Sequence, residues 1–176
     1  NQLTEVNTSY SHTTLRHLNV GFNYSLSSVN LQKFPALEKF FASYCSLTEL
    51  DVSFMNMSEN IYCNNNNLTS LSLPLSTSNS LSNSINTDVI ISDNSSLTTV
   101  SLSGIRTIAS FNANYCNFST SVIDRIFNEI SNNVNITNKT DGYVSMRYGS
   151  MGSVTSASLT ARNNLVSKGW SLNYNA

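Results

Sequence analysis

Apolar residues recur along the first two thirds of this chain with a period of about 10 to 11 residues. The phrases LTELDVSF from Leu47, LTSLSLPL from Leu68 and LTTVSLSG from Leu97 show it most plainly. Two kinds of phrase alternate. One, termed B, reads L-T-x-L-x-L/V and starts at Leu3, Leu26, Leu47, Leu68 and Leu97. The other, termed A, starts at Leu15, Leu37, Ser58, Asn86 and Ile108. One A and one B phrase make a coil of about 21 residues. Within each phrase, counting its first residue as +0, positions +0, +3 and +5 are mostly apolar. In A the +3 column is Leu18, Phe40, Ile61, Val89 and Phe111, and the +5 column is Val20, Ala42, Cys63, Ile91 and Ala113. In B the +3 column is Val6, Val29, Leu50, Leu71 and Val100, and the +5 column is Thr8, Leu31, Val52, Leu73 and Leu102. Residues two apart share one face of a strand, so +3 and +5 point inward and +4 outward. A unit this short cannot bury its own apolar side and must stack on its neighbours. The period predicts a solenoid of parallel strands, stacked about 4.8 Å per coil.

The spacing breaks at STSNSLSNS, residues 76–84, which is expected to bulge from one coil as a loop. After Phe118 the rhythm stops. Val122, Ile123, Ile126, Phe127 and Ile130 then recur at helical spacing, with Thr120 or Ser121 as the expected N-cap of a helix over 120–134. Residues 142–148 alternate like a strand, and Gly149 and Gly152 mark a loop. A second helix is expected over 155–169, closed by Gly169, and Trp170 and Leu172 begin a last short strand. Such a tail serves as a cap, because the last coil would otherwise expose apolar side chains and a bare strand edge. Residues 1–118 are thus expected to form the repeats and 119–176 the cap, within one structural domain.

Composition narrows the function. Only 11% of residues are charged and the net charge is -1, whereas nucleic-acid binding needs a basic stripe. No apolar run approaches the roughly 18 to 20 residues of a membrane helix. The chain starts at Asn1, which suggests a processed product or a fragment. Cys45, Cys63 and Cys116 have neither disulfide-framework nor zinc-site spacing. Eight Asn-x-Ser/Thr sequons match chance in so Asn-, Ser- and Thr-rich a chain.

Catalytic groups are scarce. His12 and His17 lie in the first coils and read as surface polar residues. Glu5 and Glu49 share an outward B position on the order of 10 Å apart, a separation an inverting glycosidase uses, but no cleft-forming insertion accompanies them. Asp88 and Asp93 lack a calcium-loop pattern. No enzyme activity, cofactor or metal is expected. The outward columns are more informative. In A the +4 column runs Asn19, Phe41, Tyr62, Ile90, Asn112, and the +7 column runs Phe22, Tyr44, Asn65, Asp93, Tyr115. Phe41 and Tyr62 are expected on adjacent coils with Phe22 and Tyr44 alongside. Phe22, Phe41, Tyr44, Tyr62 and Tyr115 are therefore the candidate ligand-binding residues, since clustered exposed aromatics suit recognition and sugar stacking. The competing reading is that they cover the turn or pack on another subunit. In B the +1 column of Thr4, Ser27, Thr48, Thr69 and Thr98 forms a hydroxyl ladder. It suits strand pairing, and less readily an ordered solid such as ice.

The alternation of LTELDVS with a phrase carrying Cys or Ala at +5 resembles the 21-residue leucine-rich repeats of internalin-J-like bacterial surface proteins. The tail, with Gly142, Ala157, Leu159, Ala161, Leu165, Gly169 and Trp170, resembles the C-terminal cap of bacteriophage and bacterial leucine-rich-repeat proteins. It departs from them in lacking a proline in the loop 149–154. The A phrases at Ser58 and Asn86 also lack the opening leucine. The resemblance implies a non-catalytic adhesion or recognition module on a virion or a bacterial surface, outside the cell. Its expected partner is a cell-surface glycan or protein. The alternative is a structural subunit of a virion appendage or surface filament, or a homo-oligomer, using the same face.

Overall fold

A computed structural model describes residues 2–53, 55, 60–73 and 86–176. The A phrases supply strands β2 (His17–Asn19), β4 (Lys39–Phe41), β6 (Asn60–Tyr62), β8 (Thr87–Ile90) and β9 (Ile108–Asn112). The B phrases supply β1 (Glu5–Val6), β3 (Ser28–Val29), β5 (Glu49–Asp51) and β7 (Ser70–Ser72). The tail adds α1 (Thr120–Thr137), β10 (Tyr143–Met146), α2 (Leu159–Ser167) and β11 (Ser171–Tyr174). The A strands and the two tail strands form one parallel sheet of seven, in the order β2-β4-β6-β8-β9-β10-β11. Its register follows the +3 column: Leu18 beside Phe40, then Ile61, Val89, Phe111, Val144 and Leu172. The +5 residues Val20, Ala42, Cys63, Ile91 and Ala113 are buried with them. So are the opening Leu26, Leu37, Leu47, Leu68, Leu97 and Ile108, each contributing about 2 kcal/mol of apolar burial.

A second ladder runs through the turn after each A strand. At the +8 place Asn66 Nδ2 donates to Ala42 O of the preceding coil (2.8 Å) and to Cys63 O of its own (3.0 Å). Its Oδ1 accepts from Leu47 N (3.0 Å). Asn94 repeats the arrangement with Cys63 O, Ile91 O and Leu68 N. Cys45 and Cys116 occupy the same place and turn their thiols to Val20 O and Ile91 O, each at 3.4 Å. A buried carbonyl left without a donor is costly, so a short polar side chain recurs here.

Several expectations need correction. Leu3 opens the first B phrase but is 48% exposed, because β1 is an edge strand among the described residues. The B strands do not form one continuous sheet. They pair as β1 with β3 and β5 with β7. After β3 the backbone enters a single 3-10 turn, Leu31–Lys33, in which the Gln32 N–H bonds Asn30 Oδ1 and the capping Phe34 N–H bonds Leu31 O. The B phrase at Leu97 forms no strand. Its edge is taken by α1: Glu129 accepts from Leu102 N (2.7 Å) and Ser101 Oγ (3.1 Å), Arg125 donates to Val100 O and Thr99 Oγ1 (both 2.9 Å), and Asn133 donates to Leu102 O (2.9 Å). Residues 125, 129 and 133 are four apart, so one helix face meets the strand edge.

The first helix is capped by Ser119, not Thr120 or Ser121, and continues beyond 134 to Thr137, where Asn138 turns left-handed (φ 52°). The second helix is shorter than expected. A 3-10 turn, Ser156–Ser158, precedes α2, and Gly169 (φ 82°) ends the segment. Leu159 faces solvent. Trp170 precedes β11 and lies flat on Gly142, where an added Cβ would come within 2.4 Å of the indole ring. The phrase start at Ser58 and the expected loop at 76–84 lie outside the described residues.

Candidate functional site

The turn after each A strand places one residue in the left-handed region. Phe22, Tyr44, Asn65, Asp93 and Tyr115 have φ between 56° and 59°. This is the whole +7 column. Each N–H donates to the +6 carbonyl of the next coil: Phe22 to Ser43, Tyr44 to Asn64, Asn65 to Ser92, Asp93 to Asn114, and Tyr115 to Arg147, all at 2.8–3.0 Å. Asparagine and aspartate tolerate this conformation, but bulky side chains rarely adopt it, at a cost of about 1 kcal/mol or more. Aromatic residues stand here nonetheless, and they are exposed: Phe22 by 55%, Tyr44 by 41% and Tyr115 by 48%.

These rings are paired. Phe22 stacks on Tyr44 with centroids 5.0 Å apart and planes 8° from parallel. On the outer face of the sheet, Phe41 meets Tyr62 edge to face at 5.1 Å. Both rings are half-buried there, and the Tyr62 hydroxyl donates to Asp88 Oδ2 at 3.4 Å. Burial, then the Asp88 charge and this hydrogen bond, raise the Tyr62 pKa above the ordinary phenol value. Ile90 follows in the same outward column, also half-buried.

Tyr115 belongs to a separate pair. Two coils carrying Asn65 and Asp93 stand between it and Tyr44. Its ring stacks instead on Tyr148, with centroids 5.1 Å apart. Tyr148 is exposed, left-handed (φ 68°), and carries the Arg147 guanidinium 5.0 Å from its ring centre. Neither Tyr148 nor Arg147 was anticipated. The signal was the register: Val144 stands in the +3 place beside Phe111, so Tyr148 falls at +7 and continues the column past the last repeat.

The other outward features are occupied by structural bonds. In the hydroxyl ladder, Thr69 Oγ1 donates to Thr48 O (3.1 Å) and Ser27 Oγ to Thr4 O (3.4 Å), so these hydroxyls serve the backbone of the preceding coil. His12 bonds Thr8 Oγ1 and stacks on Phe34. A groove of about 810 Å³ runs along the start of α1, but its acids are engaged. Asp124 accepts from Thr155 N (3.1 Å), Thr155 Oγ1 and Ser158 Oγ, and Glu129 holds Arg125 and Leu102 N. Burial acts to raise the Asp124 pKa. The hydrogen bonds from Ser158 and Thr155, with the Arg162 charge, outweigh it and hold the carboxyl below its ordinary value. The three thiols are free and buried. Burial lifts all three pKa values, that of Cys116 to about 12. Among the described residues no three His, Cys, Asp or Glu side chains converge as a metal site would require. No helix among them is long and apolar enough to cross a membrane.

The aromatic residues expected to form one patch therefore stand as three pairs, two near the first coils and one at the cap. No protein-family model matches this chain, and neither a curated protein nor a solved structure shows significant similarity to it.

Proposed function

We propose that this chain is a leucine-rich-repeat solenoid acting as a non-catalytic recognition module. It binds a cell-surface glycan or protein and is displayed on a virion or a bacterial surface. Phe22, Tyr44, Phe41 and Tyr62 are the contact residues. The observation that carries this reading is the pair Phe22 and Tyr44: exposed, stacked on one another, and held in a backbone conformation that glycine or asparagine would adopt at lower cost. Packing does not require large rings at such a place, whereas recognition does. The test is the triple variant Phe41→Ala, Tyr44→Ala, Tyr62→Ala in a glycan and whole-cell binding screen. Binding should vanish while the circular dichroism spectrum is retained. Unchanged affinity in the folded variant refutes the site.

One observation favours a second reading, assembly into an appendage or filament. Strand β2 is an edge of the seven-stranded sheet and Leu3 is exposed beside β1, so that end offers backbone groups and apolar surface to another subunit. Sedimentation separates the two readings. A monomer that binds cells supports recognition, and self-association that buries the aromatics supports assembly.

A further inference from the structure

The A sheet begins at β2 and ends at β11, and among the described residues neither outer edge has a partner strand. Along a parallel strand the N–H and C=O of one residue point to one side and those of the next to the other. Val20 N bonds Phe41 O and Phe22 N bonds Ser43 O, so His17, Asn19 and Gly21 turn their backbone groups outward from β2. Ser171 N bonds Gly142 O, so Leu172 and Tyr174 turn theirs outward from β11. The two edges match in register. Leu172 stands in the +3 place through Val144 and Phe111, as Leu18 does at the other end, and both are half-buried. Edge strands are commonly blunted by lysine, proline or an inward charge, and neither HLN of β2 nor SLNY of β11 carries one. Asn23 adds a second observation. It is 2% exposed at the same +8 place as Asn66 and Asn94, whose amides each reach the +5 carbonyl of the preceding coil. Among the described residues the Asn23 amide reaches Val20 O and Gly21 O of its own coil and no earlier one. Beside it lies a groove lined by Gln2, Leu3, Asn19, Gly21, Phe22 and Asn23.

Building on the assembly reading, we propose that β11 of one copy adds in parallel to β2 of another, joining chains head to tail. The rule that links successive A strands then runs across the junction. Tyr174 N donates to Asn19 O as Val20 N does to Phe41 O, and Asn19 N donates to Leu172 O. Leu172 lies against Leu18 and closes the open end of the +3 column. Tyr174 O, at +5, faces Asn23 and supplies the carbonyl of a preceding coil. Ala176 falls at +7, so the junction adds a single methyl group beside the Phe22 and Tyr44 stack. The two joined surfaces differ, so each contact leaves one free edge of each kind and growth does not close at a dimer.

The test is sedimentation velocity of the whole chain over a concentration series, joined to crosslinking through introduced cysteines. His17 and Ser171 both stand at +2, are exposed, and become neighbours across the junction, about 5 Å apart and within disulfide reach. The three native thiols are buried and do not compete. Mean mass should rise past the dimer with concentration. Mild oxidation of the double variant His17→Cys, Ser171→Cys should give a ladder of covalent oligomers. A mixture of the two single variants should stop at a covalent dimer, and neither alone should crosslink. His17→Pro removes an outward donor at the first position of β2, where an edge strand tolerates proline, and should hold the chain monomeric. Thermal melting checks that each variant is folded, and the exposed cysteine positions decide the matter if His17→Pro does not fold. Self-association without the ladder overturns this junction and leaves assembly standing through another face. Crosslinking of His17→Cys alone also overturns it and assigns the contact to two β2 edges. A chain that stays monomeric throughout overturns both the junction and the assembly reading.

Discussion

Asn66 and Tyr44 occupy neighbouring columns for different reasons. The Asn66 amide closes the carbonyls of two coils and accepts the Leu47 N–H, all away from water. Replacing it by Ala strands those groups and should cost about 2–4 kcal/mol in a denaturant titration. Tyr44→Asn should behave otherwise. It removes the ring and its stacking but relieves the left-handed strain. Stability should change by no more than about 1 kcal/mol while ligand binding falls. Cys45 and Cys116 share the Asn66 place, and Cys63 lies in the +5 column. Cys63, Cys116 and Cys45 are buried and their thiols are held protonated, so a thiol reagent at neutral pH should label none of them until the protein is unfolded. At this scale the inward columns were legible because period and hydrophobicity report burial directly. The left-handed column was not, since Phe, Tyr, Asn and Asp share no property that marks backbone conformation.

At the level of elements, the tail was legible in kind and less so in extent. The apolar spacing located α1 and its start at Thr120, but the N-cap is Ser119, whose hydroxyl meets Ser121 Oγ rather than a backbone N–H, and the helix runs on to Thr137. The second helix lost its first turn to the 3-10 segment, because Thr155 and Ser158 turn their hydroxyls to Asp124 on α1. That carboxylate joins the two helices and should set the acid limit of the cap. Its pKa in the folded state lies below the unfolded value of about 3.9. The stability it contributes is therefore present above about pH 4 and is lost as pH falls through the folded value. Asp124→Asn should lower the melting temperature at pH 7 and flatten its decline below pH 4. Gly142 gives the second test. A methyl group there would overlap the Trp170 ring, so Gly142→Ala should cost about 2–3 kcal/mol and disturb the tryptophan fluorescence.

Across the whole molecule, the two ends of the stack differ. At the C-terminal side, Arg125, Glu129 and Asn133 present one helix face to the backbone groups of 99–102, which a further strand would otherwise pair. Glu129→Ala should cost about 1–3 kcal/mol and speed amide exchange at Leu102. This docking was not legible, because polar residues on an amphipathic helix ordinarily read as its wet side. At the other side β1 and β2 remain edges. Of the candidate site, the columns predicted adjacency correctly for Phe41 with Tyr62 and for Phe22 with Tyr44. They did not reveal the pairing of Tyr115 with Tyr148, because the apolar rhythm ends at Phe118 while the strand register continues into β10.

The left-handed column, one residue per coil, makes the molecule a graduated ruler. Excising residues 45–65 would join Tyr44 to Asn66 without shifting any column, and would shorten the span from Tyr44 to Tyr115 by a single graduation. Length preference in whatever lies along that edge would then change in whole increments, never by fractions.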